Sequence, residues 1–247
     1  MSQADTQEQT EHPSRPPYRP HVGENRPYLR DVILGVNDGL VSIFLLVAGL
    51  VGGQLGSAEV LLGGLVGALA GAVSMALGEY LATKSQEEVW DAELLLEDEH
   101  IKHYRDEEAA QLYELLEPFG LDGEDLEEAV RMFSATDQRL KQAMAVLEFG
   151  VVESERRSPY RAGWMSGGFF LAGSALPLAP FLFSLEPSVS LLWSVGLTFI
   201  GLFTVGWTKT RITYNPGVRS GLENMLIAGA GATLAWWVGR ILDISLS

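Results

Sequence analysis

The chain has 247 residues, a formal net charge of −15, 47% hydrophobic residues and no cysteine. Without thiols, disulfide staples, thiolate zinc sites and cysteine nucleophiles are excluded, and metal chemistry falls to carboxylate oxygen, imidazole nitrogen and thioether sulfur. An acidic balance with no basic stripe interleaved with aromatics also argues against nucleic acid as a partner.

The charge is unevenly placed. From Lys84 to Arg157 there are 21 Asp and Glu against 8 Lys and Arg, a net of −13, which leaves −2 for the rest of the chain. Residues 1–27 are polar and Pro-rich, lack an apolar run that could serve as a signal peptide, and read as a disordered cytosolic tail. Five later stretches reach the roughly 20 apolar residues that a bilayer crossing needs, at about 32–53, 58–82, 164–185, 188–208 and 219–242. The chain thus divides into the tail, transmembrane helices one and two in 28–83, an acidic helical metal-binding domain in 84–160 and transmembrane helices three to five in 161–247. The expected fold is an all-α integral membrane protein with five transmembrane helices and a cytosolic three-helix metal-binding insertion between helices two and three.

In chain order, the first span carries Asn37 and Asp38 near its start. An ionisable group inside an apolar span is expensive and marks an ion or proton path by default. Gly52, Gly53 and Gln54 to Ser57 make a tight turn into the second span, where Gly63, Gly67 and Gly71 repeat the small-xxx-small step that lets another helix approach. Met75 and Glu79 follow, one helical turn apart. In the insertion, Ser85 to Tyr104 lack Gly and Pro and read as a helix. Asp106 reads as the cap of a second helix reaching Glu117, closed by Pro118-Phe119-Gly120. Asp122 and Asp125 open a third, which keeps Leu126, Val130, Phe133, Leu140, Met144 and Leu147 on one face. Pro177 and Pro180 kink or break the outer third of the third span. The fifth span is the weakest, with Glu223 and Asn224 in its first turn.

Basic residues orient the chain. With the N-terminus inside, 16 of the 17 Lys and Arg fall on the cytosolic side, Arg240 alone lying near the outer end. The C-terminus is then outside.

Two constellations could carry chemistry. Asp38, Met75 and Glu79 combine carboxylate with thioether, which suits a borderline cation such as Fe(II) better than Mg or Ca, and the carboxylates could take up protons when metal leaves. Met75 could equally fill core space, Glu79 could simply reach the interface, and Asn37 could donate a helix-packing hydrogen bond. In the insertion, Glu93, Glu97, His100 and Tyr104 share a helix face, Glu108 and Gln111 repeat the i, i+3 step, and Met144 and Glu148 are one turn apart. A Glu-x-x-His step among carboxylates has the ligand arithmetic of helical di-iron sites, although an acidic helix is more often just a solvated face. No phosphate-cradling motif is present, so ATP-driven pumping has no support.

The stretches DVILGVNDGLVSIFLLVAGL and AGAVSMALGEYLATKSQEE resemble the vacuolar iron transporter family, also called CCC1-like, and the resemblance covers about residues 28–243. It implies a homodimeric antiporter in lipid that exchanges Fe(II), and often Mn(II), for protons and moves metal out of the cytosol. It also implies that Asp38 and Met75 belong to the membrane metal site, and that Glu97, Glu108, Met144 and Glu148 occupy ligand positions of the cytosolic domain. His100 and Gln111 stand where the family usually has glutamate, so a weaker or differently selective site is expected for Fe, Mn, Co or Zn. The host membrane could be a bacterial plasma membrane or a vacuole. The competing readings are a membrane-anchored ferritin-like storage or ferroxidase protein, and a metal sensor.

Overall fold

The computed structural model describes residues 26–152, 156–183, 185–213 and 217–246. Residues 1–25 of the expected tail lie outside the description, and Arg26 and Pro27 already begin the first helix. Among the described residues the secondary structure is entirely helical: α1 (Arg26–Gly52), α2 (Ser57–His103), α3 (Arg105–Leu116), α4 (Gly123–Phe133), α5 (Asp137–Leu147), α6 (Pro159–Leu178), α7 (Pro187–Thr213) and α8 (Gly217–Leu246). Five of these, α1, α2, α6 with its following turn, α7 and α8, are long and apolar enough to cross a membrane.

Helix α1 is the centre of the apolar block and packs against α2, α6, α7 and α8. Its faces are sorted by neighbour. Ile43 and Val47 meet Val60, Ala68 and Phe170 of α2 and α6, whereas Leu40 meets Leu202 and Ala228 of α7 and α8. Close approach at two crossings depends on glycine: a Cβ on Gly39 would strike the Phe170 carbonyl of α6, and one on Gly239 would strike the Gly49 carbonyl. The glycine series of α2 serves packing within the chain, with Gly63 and Gly67 under Leu50 and Leu46 of α1 and Gly71 under Phe170.

Helix α2 is a single rod of 47 residues, about 70 Å at 1.5 Å per residue. A hydrocarbon core is about 30 Å thick. With no Gly or Pro from Glu79 to His103, nothing stops the membrane-length helix, and it runs on into the acidic segment. The segment between α2 and α6 then departs from the sequence expectation in three ways. Asp106 lies in the first turn of α3, and Tyr104 holds the cap position with no side-chain hydrogen bond. The expected third helix is two, because Thr136 caps α5 by accepting from the Arg139 N–H at 3.3 Å, while Ser134 bonds back to the Val130 carbonyl at the end of α4. Phe133, expected on the buried face, falls at this break and is exposed. What these helices share is a core of their own: Ile101, Leu112, Leu116, Val130, Leu140 and Met144.

Pro177 is accommodated within α6. The helix passes it and tightens into a 3₁₀ turn over Ala179–Phe183, while the Ser194 hydroxyl of α7 donates to the Pro177 carbonyl at 2.9 Å.

Candidate metal centre

Helix α2 ends at one non-helical residue, Tyr104 (φ −134°), and α3 starts immediately after it. The Tyr104 N–H donates to the His100 carbonyl at 2.7 Å and the Glu108 N–H to the Tyr104 carbonyl at 3.0 Å, so the corner sets His100 and Glu108 symmetrically about itself. Glu97, one turn back on α2, completes a group of three whose ligand atoms lie within 4.8 Å of one another. His100 Nδ1 is 3.2 Å from Glu108 Oε1.

Both carboxylates are buried, Glu97 at 2% and Glu108 at 6% exposure. Glu97 Oε1 and Glu108 Oε2 have no hydrogen-bond partner. Burial first, then the charges of Glu108 and Glu148, push the Glu97 carboxyl up to about 7. Burial likewise raises Glu108, His100 pulls it back, and Glu148 raises it further. Two buried carboxylates with orphaned oxygens normally demand a cation or a proton. Two oxygens and an imidazole nitrogen, with positions left for water, make a reasonable set for a first-row divalent ion.

The remaining expected ligands are placed differently. Glu148 is exposed and Glu93 half-buried, and both lie outside the three-residue group, though Glu148 is near enough to act on its charges. Met144 is fully buried in the apolar core of the segment. Gln111 sits half-buried one turn beyond Glu108 on α3.

In the apolar block, Asp38 accepts a hydrogen bond from Ser42 one turn on, at 2.9 Å. The neighbouring Asn37 Oδ1 is buried without a partner. Met75 packs on the cluster of Ile43, Ala72 and Phe170. Among the described residues, no hydrogen bond or ion pair joins Asp38 to Glu79. Glu79 instead takes the Thr83 hydroxyl at 3.5 Å and the Arg157 guanidinium at 3.2 Å. Arg157 also pairs with Asp31, which is 1% exposed. The sequence reading passed over Asp31 and Arg157. Asp31 was findable, since it lies two helical turns before Asp38 on the same α1 face. Its pairing with Arg157, 126 residues away, needs the tertiary fold.

Known proteins resemble this chain over most of its length. A profile of the VIT family matches residues 29–240. Vacuolar iron transporter 1 of Tulipa gesneriana is 32% identical over 215 residues, covering 87% of each chain. Vacuolar iron transporter 2 of Oryza sativa subsp. japonica is 34% identical over 218 residues, again 87% of each. Protein CCC1 of Saccharomyces cerevisiae is 29% identical over 226 residues, 87% of this chain and 69% of the yeast protein.

Proposed function

This chain belongs to the VIT family, and from that premise we propose that it is a secondary transporter carrying Fe(II), with Mn(II) as a second cargo, out of the cytosol in exchange for protons. The observation that carries the reading is the continuity of α2. One unbroken helix bears Glu97 and His100 near one end and Met75 and Glu79 inside its membrane-length apolar half.

The acidic segment faces the cytosol and gathers divalent ions, its net charge of −13 raising their local concentration. Glu97, His100 and Glu108 hold the ion reversibly, with Glu148 adding charge; Gln111, Met144 and Glu93 stand at the margin of this site. Asp38 and Met75 receive it at the α1–α2 seam. Protons from the far side compete for the carboxylates and release the metal. Membrane lipid and a second copy of the chain cover the apolar faces of α2 and α8, whose long stripes of exposed Leu and Val need such cover. The ferroxidase reading is weaker, because a di-iron centre calls for two Glu-x-x-His helices and the clustered group has one.

The test is uptake of Fe(II), Mn(II), Co(II) and Zn(II) into proteoliposomes with a pH dye on the side opposite the metal. Metal entry with opposing proton flow, lost in Asp38→Ala protein that still folds, is the expected result. Tight binding without movement would move the assignment to storage or sensing.

A further inference from the structure

Along α2, Met75, Glu79, Thr83, Glu87 and Asp91 follow at every fourth residue and form one ridge between the apolar block and the turn that bears Glu97. Two consecutive arginines ahead of α6 cover the carboxylates of that ridge. Arg156 takes Glu87 at 2.7 Å and Asp91 at 2.5 Å. Arg157 takes Glu79 and reaches across to Asp31 of α1. Two positive charges therefore pair with carboxylates that lie, along α2, between Met75 and Glu97.

Arg157 is not held as a structural staple would hold it. A staple presents the planar guanidinium fork to a carboxylate in two parallel bonds. Here a single nitrogen, Nη2, serves both Asp31 and Glu79, while Nε is buried with no acceptor. The backbone beneath it, by contrast, is anchored: the Arg157 N–H donates to Glu87 Oε1 at 2.9 Å, the Ser158 N–H donates to the Tyr28 hydroxyl at 2.9 Å, and Arg161 lies 4.3 Å over the Tyr28 ring. The main chain is anchored independently of the charged head, which holds its two carboxylates through one nitrogen and lies 5.5 Å over the Tyr28 ring. Such a head can swing away without moving a helix.

We propose that Arg157 is the gate of the α1–α2 seam, a tethered cation that bridges Asp31 and Glu79 and bars the way to Asp38 until its guanidinium withdraws. This rests on reading the seam as the cargo path. Arg157 acts by occupying the carboxylates that a passing divalent ion would use, so it is a positioning residue for transport.

The chain's lack of cysteine gives a direct test. Asp38→Cys is introduced into the full chain in sealed vesicles, and the cationic reagent 2-(trimethylammonium)ethyl methanethiosulfonate is applied from the side that the acidic segment faces. Labelling is slow in Asp38→Cys alone, at least about tenfold faster when Arg157→Gln is added, as for a gate open less than a tenth of the time, and slow again with Arg157→Lys, which keeps the charge. Equal rates in all three proteins, or rapid labelling with Arg157 intact, overturn the gate. Should Arg157→Gln fail to fold with Asp31 left unpaired, Asp31→Asn with Arg157→Gln removes both buried charges and carries the same expectation of fast labelling; slow labelling there overturns it equally. Labelling does not depend on metal movement. A gated label in protein that moves no metal would sink the transport reading and leave the gate standing.

Discussion

Glu97 is buried with one oxygen unpartnered, and its carboxyl is raised to about 7. Metal must displace its proton, so affinity at this group should climb with pH up to about 7, by about tenfold per unit, and flatten above. Titration of Mn(II) by calorimetry at about pH 5.5, 6.5, 7.5 and 8.5 checks it; a flat profile would remove Glu97 from the ligands. Its neighbour His100 brings an imidazole to the group. Imidazole favours zinc and cobalt, whereas carboxylate favours manganese. His100→Glu should therefore lower the ratio of Zn(II) to Mn(II) affinity, measured by competition, and an unchanged ratio would mean that the imidazole does not bind metal.

At the scale of elements, the helices around Glu97 fold on a small core with a cost built in. A carboxyl whose pKa is raised on folding binds protons more tightly in the native state. The metal-free segment should thus lose stability as pH rises from the ordinary carboxylate range, about 4.5, to about 7, and then level off. Bound Mn(II) should reverse the loss. Melting curves followed by circular dichroism at both ends of that window, with and without Mn(II), test the sign. Leu140 is fully buried in the core where α5 meets α2. Leu140→Ala should cost about 2–5 kcal/mol and weaken metal binding, because α2 and α3 lose the support that fixes their corner. Binding at full strength in that variant would show that the corner stands alone.

For the molecule as a whole, α1 is the axle, and its glycine contacts decide whether the five apolar helices close up. Gly39→Leu would push a side chain into the α6 backbone at the Phe170 carbonyl, and the expected outcome is protein that no longer survives extraction as a single species in size-exclusion chromatography. A sharp peak at the wild-type position would mean that the two helices can separate cheaply. The charge pattern adds an orientation: tags at the N-terminus and in the loop after α3 should be accessible from one side of sealed vesicles, and a C-terminal tag from the other.

Much of this was determined by sequence alone. Apolar runs of membrane length fixed the five long helices, since spacing and composition act locally, and the Glu-x-x-His step placed Glu97 and His100 on one face before any coordinates. Local patterning also marked Asp38 as costly. It failed where the deciding partner is far away or the competing signals are short. The split between α4 and α5 depended on Thr136 capping a helix that apolar periodicity alone carries straight through, which left Phe133 exposed at the break. Above all, the bond that sets Arg157 between Asp31 and Glu79 joins three separate helices' neighbourhoods. Only the tertiary structure could decide it, because an ion pair over such sequence separation exists only once α1, α2 and α6 have packed.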